Sequence, residues 1–504
     1  MLTAIITTPI FFALVLLKVS CANRPLIARL SVTGSLVTLF FSLGLVAQFD
    51  SHESGMQFVE DIEWISMLNI HYLLGVDGIT IWMIPLTTFL SVVAVFYALR
   101  QKEGVRFFMI LLLSLEAGTL GVFLALDTIL FYIFWELMLI PTYFLIGIWG
   151  QGNKIYATTK FVVYTLVGSL LMLVAIVTLS FMYYDATHHL TFDIRELQHL
   201  RIDYGTQIWM FLFFFLAFAI KVPVFPFHSW LAHTYVACPI PALVLLTGIM
   251  SKTGTYGLIR FVIPLFPEAV EMMGWFVGGL AAFGMVYGAW AAIGQKDIKA
   301  LVAWSSVSHL GFIVLGIFAL TDQGIQGSVL QMVNHGIIAS ALFIIVGLIE
   351  EKVGSRNLED LRGLRAVMPV MYGSFMLVAM AALGLPGLNG FVGEFLILVG
   401  VWTSQAFQGY AGIYVWLGGL AIVFASVYML YFFQGTMQEK SHNLPKNLKD
   451  VDAKEMGFIV PACILIVVIG LYPKPLVDKI SHSTKHALHI EKTIGEKTAS
   501  DGHH

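Results

Sequence analysis

The sequence predicts an all-α, polytopic membrane protein of about fourteen transmembrane helices, built from two inverted five-helix repeats that each hold a discontinuous helix. Three observations predict it. First, 58% of the 504 residues are hydrophobic and only 12% are charged, whereas soluble domains hold roughly 45–50% apolar and about 25% charged residues. Second, mean hydropathy is +0.84, and apolar runs of membrane-spanning length recur from one end of the chain to the other. Third, two of those runs are broken by proline and glycine at matching places.

A helix needs about twenty apolar residues to cross the hydrocarbon core. Such runs lie near 1–18, 29–48, 78–99, 107–125, 128–148 and 160–183. The first begins at Met1 with no basic segment ahead of it, which predicts a retained helix rather than a cleaved signal. The next run, 207–221, has a continuation beyond a break, and is followed by 241–262, 271–293, 299–319 and 328–349. The stretch 366–405 has the length of two spans and reads as one interrupted helix with a re-entrant continuation. Spans near 411–433 and 455–473 complete the set. The polar stretches 49–77, 184–206, 434–454 and 474–504 are each too short to bury a core of their own. The last is expected to be a solvated extension.

Loop charge predicts orientation. With the N-terminus outside, the inner loops collect Arg24, Arg100, Lys102, Lys154, Lys296 and Lys352 among others, while the outer loops, tail aside, carry only Arg195 and Arg201. That bias fits the positive-inside rule and puts both termini on the outer, periplasmic side.

The two breaks read Lys221-Val222-Pro223-Val224-Phe225-Pro226 and Gly384-Leu385-Pro386-Gly387-Leu388-Asn389. Proline removes a backbone donor and stops a helix, and paired breaks in two halves mark inverted-repeat transporters. The expected organisation is 1–106 for the first three helices, 107–265 and 266–435 for the repeats, and 436–504 for a cytoplasmic loop, a last helix and a polar tail.

A charge at the bilayer centre costs roughly 2.5–3.5 kcal/mol on insertion scales, so each one calls for a reason. Glu136, Lys221, Lys252, His309, His335 and Glu394 all fall inside apolar runs, with Glu116 and Asp127 beside them. Desolvation disfavours the charged form of an acid or a lysine, and a nearby opposite charge restores it. A buried lysine that gains and loses a carboxylate partner therefore binds and releases a proton, and histidine passes protons near neutral pH. These six residues are the candidate proton relay. Asp127, near an interface, fits an end residue reaching for water equally well.

Other chemistry has no residues to carry it. Cys21, Cys238 and Cys463 are scattered, with no metal-ligand spacing. There is no nucleophile–base triad, phosphate-cradling loop or dinucleotide fingerprint near the charges. A net charge of −3 gives no reason to expect nucleic acid.

At these residues the chain resembles the antiporter-like, proton-translocating subunits of respiratory complex I, along nearly its whole length. The motifs are Phe134-Trp135-Glu136, Lys221 to Leu231, Lys252-Thr253-Gly254-Thr255-Tyr256-Gly257, Ser305-Ser306-Val307-Ser308-His309-Leu310-Gly311, and Leu385-Pro386-Gly387 to Phe395. The resemblance implies a Glu136–Lys221 pair, a central Lys252, connecting histidines His309 and His335, and an exit residue at Glu394. A glutamate at that last position, and the lack of a long apolar C-terminal extension, point to the M-type branch. The resemblance further implies a bacterial inner-membrane translocase subunit with L-like and N-like neighbours. It implies no cofactor in this chain, with NADH, FMN, iron–sulfur clusters and quinone handled by partner subunits. The family's Pro-Asp-Ala-His after Trp230-Leu231 is replaced here by Ala232-His233-Thr234-Tyr235, which loses an acid and shifts a histidine. A cation/proton antiporter or membrane-bound hydrogenase subunit shares the scaffold and is the alternative, as is a non-transporting scaffold.

Overall fold

The computed structural model describes residues 1–53, 55–438, 444 and 448–485. Its first six long helices are α1 (Leu2–Leu17), α2 (Arg24–Gln48), α3 (Met83–Ala98), α4 (Val105–Leu124), α5 (Thr128–Trp149) and α6 (Lys154–Thr187). An interrupted pair follows, α7 (Tyr204–Lys221) and α8 (Ser229–Ala237), then α9 (Ile240–Leu265), α10 (Pro267–Ile293), α11 (Ile298–Phe318) and α12 (Asp322–Val353). A second interrupted pair is α13 (Pro369–Ala382) and α14 (Asn389–Trp402), ahead of α15 (Ala411–Met437) and α16 (Ala453–Leu471). Among the described residues, eleven helices are long and apolar enough to cross a membrane.

Both expected breaks are present. Backbone groups freed inside oil must find partners. At the first, the Trp230 indole N–H donates to the Ile220 carbonyl at 2.8 Å. At the second, Gly384 and Gly387 take φ of +79° and +93°, where glycine alone pays no steric penalty.

Two features depart from expectation. The segment 49–77 is not plain loop: Gln57–Ile65 (β1) and Ile70–Val76 (β2) pair antiparallel. Asn69, with φ of +49°, turns the chain between them. The tail is not wholly a solvated extension either. Residues 474–485 are helical and bury Ile480. Ser483 Oγ accepts from Gly78 N–H at 2.9 Å, and Lys479 Nζ donates to the Phe49 carbonyl at 2.9 Å. The rest of the expected tail lies outside the described residues.

Packing sorts the helices by chemistry. Helices α9 and α12 are enclosed on every side, and α4 and α11 nearly so. The outer ring of α2, α6, α15 and α16 turns residues such as Phe40, Val163, Trp416 and Leu471 outward. Apolar surface of this extent suits lipid or a neighbouring subunit rather than water. The enclosed helices are the ones that carry Glu116, Lys252, His309 and His335.

Candidate proton-relay site

Helix α9 is where the site begins. Its regular turns give way to π-helical turns at Leu246–Met250 and Leu258–Val262, on either side of Ser251–Gly257. Such bulges widen a helix and gather at functional positions. The fully buried Lys252 donates to the Thr247 carbonyl at 2.5 Å and meets His335 Nδ1 at 2.7 Å. Small residues permit that meeting. A Cβ added to Gly336 would lie 2.8 Å from the Gly248 carbonyl oxygen, so α9 and α12 touch backbone to backbone one turn from the contact.

Beyond His335 stands the His309 ring, 5.7 Å away centre to centre. His309 Nδ1 contacts Glu394 Oε1 at 2.8 Å and its Nε2 contacts the Tyr428 hydroxyl at 3.2 Å. Glu394, on α14 just past the second break, also accepts from Gln331 Nε2 at 3.2 Å. Four of the six expected residues thus form one buried cluster. Its order in space is Lys252, His335, His309, Glu394, whereas along the chain His309 precedes His335.

Glu136 and Lys221 lie elsewhere and are not in contact. Among the described residues no ion pair within 4.0 Å joins them. The Lys221 ammonium sits instead over the ring of Trp135 at 5.1 Å and that of Phe161 at 5.7 Å. Aromatic faces carry negative charge density and hold a desolvated cation. Glu136 keeps a buried Oε1 with no partner.

Several polar groups were not singled out by sequence. Gln331 and Tyr428 complete the shell of Glu394, and Gln331 shares the helix face of Asn334 and His335 at spacings of three and four. Arg260, slightly exposed near the far end of α9, pairs with Asp77 at 2.6 Å. Lys299 donates to the Cys238 carbonyl at 2.6 Å. Glu116, which the sequence did mark out, is buried with both carboxylate oxygens unpartnered. A functional pattern was visible only for the first of these, as an i, i+3, i+4 polar stripe in an apolar helix.

Asp127 resolves as a helix cap. Its carboxylate accepts from Ile129 N and Leu130 N at 2.9 Å each, and from His71 N at 3.1 Å. Burial pushes this carboxyl above the ordinary range, and the donors from Leu130, His71 and Ile129 oppose that rise. In the departure from the family pattern, His233 is exposed and bonds the Ser229 carbonyl at 3.0 Å. Tyr235 is buried with its hydroxyl unpartnered.

Near one end, where Arg100 pairs with Glu351 and Glu455 at 2.5 and 3.0 Å, a cavity of about 410 Å³ opens between α3, α5, α9 and α12. Tyr97, Arg100, Gln151, Glu350 and Glu351 line it.

Residues 125–425 match the family described as NADH:quinone oxidoreductase/Mrp antiporter, TM. The chain is 38% identical over 499 residues to NADH-quinone oxidoreductase subunit M of Rhodobacter capsulatus, covering 96% of both. It is 39% identical over 435 residues to the Escherichia coli subunit of that name, covering 84% of this chain and 83% of the other. A chain of respiratory complex I from Thermus thermophilus superposes with a TM-score of 0.88 at 28% identity, covering 97% of this chain and all of that one. A chain of the Mrp complex from Dietzia shares the fold at 20% identity and a TM-score of 0.85.

Proposed function

Because this chain belongs to the NADH:quinone oxidoreductase/Mrp antiporter membrane family, as an M-type membrane-arm subunit of complex I, we propose that it moves protons through Glu136, Lys221, Lys252, His335, His309 and Glu394. The observation that carries this reading is the buried contact of Lys252 with His335 at 2.7 Å, continued by His309 and Glu394 at 2.8 Å. Isolated charges in oil would be neutralised or removed; a connected series of titratable groups is what proton transfer needs.

Each residue has a task in this scheme. Lys252 is the central store, held between a carbonyl and a histidine nitrogen. Glu394, beside the second break, hands the proton onward to the outer side. Lys221 is the first lysine, and Glu136 approaches it when the complex works, drawing its ammonium off the ring of Trp135. Losing that carboxylate lowers the proton affinity of Lys221 and repels charge toward Lys252. Redox chemistry is the work of partner subunits, which hold NADH, FMN, iron–sulfur clusters and quinone, and the flanking subunits are L-like and N-like.

The same reading gives fourteen crossings, counting α1, α3 and the α13/α14 pair as one each beside the eleven long helices. It treats 107–265 and 266–435 as inverted repeats with matching breaks, flanked by 1–106 and 436–504. Basic loops face the cytoplasm of a bacterial inner membrane, and both termini face the periplasm. The test is the assembled complex in sealed vesicles with Lys252→Ala. Proton uptake is expected to collapse while quinone reduction and subunit content persist. Full pumping by that variant would remove Lys252 from the path and the scheme with it.

A further inference from the structure

Lys252 has two directions in which to lose a proton. One leads to His335. The other runs along α9 itself, toward the end where Asp77 follows the β1–β2 hairpin. The segment Ser251–Gly257 is regular α-helix, so Tyr256, four residues on, shares the face of Lys252. Tyr256 is fully buried. Beyond it stands Arg260, whose Nε donates to the Tyr256 hydroxyl at 3.3 Å and whose Nη2 meets Asp77 Oδ2 at 2.6 Å. The Arg260 side chain is 11% exposed. A row of polar groups thus joins the enclosed lysine to the surface, over a helical rise of roughly 12 Å. A pump with a second outlet of this kind would short-circuit.

The guanidinium closes the row. A hydroxyl relays a proton by accepting on one side while donating to an acceptor on the other. Arginine offers five donors, has no acceptor and stays protonated in proteins. Since Nε gives its hydrogen to the Tyr256 oxygen, the Tyr256 hydrogen cannot point outward, and Arg260 has no lone pair to receive it. The charge acts in the same sense. The guanidinium stands between Tyr256 and Asp77 with its positive side toward Lys252, and a fixed arginine is a known barrier to protons and cations in pores. Both ends of the pair are held. Asp77 Oδ1 accepts from Ile79 N, Thr80 N and Thr80 Oγ1 at 3.1 Å each. The guanidinium lies 5.6 Å over the Tyr256 ring, which in turn packs edge-on against Phe123 at 5.3 Å.

Resting on the relay reading above, we propose that Arg260 is a proton seal, closing the outer end of α9 so that Lys252 discharges only toward His335. With the guanidinium gone, Asp77 Oδ2 becomes an open acceptor and water enters the vacated space. Tyr256 then gives its proton outward and takes another from the Lys252 side. The hydroxyl is regenerated, and one proton crosses without work.

The test is passive proton flux in the assembled complex, in sealed liposomes under an imposed pH gradient with no NADH present. Arg260→Gln removes the charge and supplies an amide oxygen that accepts. It is expected to raise the flux about tenfold, with quinone reduction retained when measured separately. Arg260→Lys, which keeps the charge and offers donors alone, is expected to stay near the parent. Adding Tyr256→Phe to Arg260→Gln keeps the ring, removes the hydroxyl and should abolish the extra flux, a dependence that a purely structural tether would not show. A tight membrane with Arg260→Gln overturns the proposal, and so does a leak that Tyr256→Phe leaves in place. Full pumping by Lys252→Ala removes the relay, whereas a tight Arg260→Gln beside an inactive Lys252→Ala removes only the seal. Should Arg260→Gln fail to assemble, Arg260→Gln with Asp77→Asn leaves no bare charge and is read the same way.

Discussion

The Lys252 ammonium reaches His335 Nδ1 at 2.7 Å across the closest approach of two enclosed helices. A lysine nitrogen and an imidazole in hydrogen-bond contact are placed for proton transfer between them. His335→Leu leaves the ammonium with the Thr247 carbonyl as its one remaining partner. We expect the variant complex to assemble, with its thermal midpoint reporting a loss of about 1–3 kcal/mol for an unsatisfied buried group. Proton translocation is expected to fall about a hundredfold, the range a positioned transfer group contributes.

Glu136→Gln separates structure from transport. Lys221 sits over the ring of Trp135 rather than in an ion pair with Glu136 among the described residues, so the neutral amide is expected to be tolerated. The variant should melt within about 0.5 kcal/mol of the parent while pumping drops sharply. A large loss of stability would mean the two side chains are paired after all.

Gly336→Ala tests the helix contact alone. Its Cβ would press on the Gly248 carbonyl, and main chain cannot step aside as a flexible side chain does. Overpacking of this kind costs about 1–3 kcal/mol. The readout is the yield and melting point of the detergent-solubilised complex, both of which should fall.

The hairpin should loosen with alkali. His71 Nδ1 contacts Asp61 at 2.6 Å and its Nε2 contacts Asn69 Oδ1 at 3.1 Å, an arrangement that suits the doubly protonated ring. The bond to Asp61 raises its pKa above the ordinary 6.5, against partial burial, with Asp127 and Glu63 adding to the rise. A raised histidine contributes its stabilisation fully below the unfolded value and loses it as pH climbs through the folded one. Hydrogen exchange in 57–76 is therefore expected to speed up from about pH 6.5 upward beyond the intrinsic rate, and His71→Gln should abolish that extra dependence.

Gly78→Ala should release the C-terminal helix. An added Cβ would sit 2.1 Å from the Lys479 carbonyl oxygen. Cleavage by trypsin after Lys479 is expected to become much faster, with membrane insertion unaffected.

Much of this architecture was legible in the sequence because the bilayer permits so few solutions. Twenty apolar residues mean a helix, and Pro223 or Pro386 within such a run means a break. Lys252 and Glu394 stood out by their cost in oil. What the sequence hid is pairing. Periodicity places His335 on a helix face but says nothing of which helix it meets, so its position ahead of His309 emerged only from packing. The hairpin was missed because Gln57–Ile65 is rich in acids and lies largely exposed, without the alternation that marks a half-buried strand. Lys221 illustrates a subtler limit: its burial was foreseen, its seat on Trp135 was not.

The enclosure of α9 and α12 has an electrical meaning. If the proposed relay carries protons, a charge on Lys252 or His335 is enclosed by other helices before any lipid begins, so the protein supplies its own dielectric sleeve. Membranes of different lipid composition should then alter how the subunit sits, and leave the conductor inside it untouched.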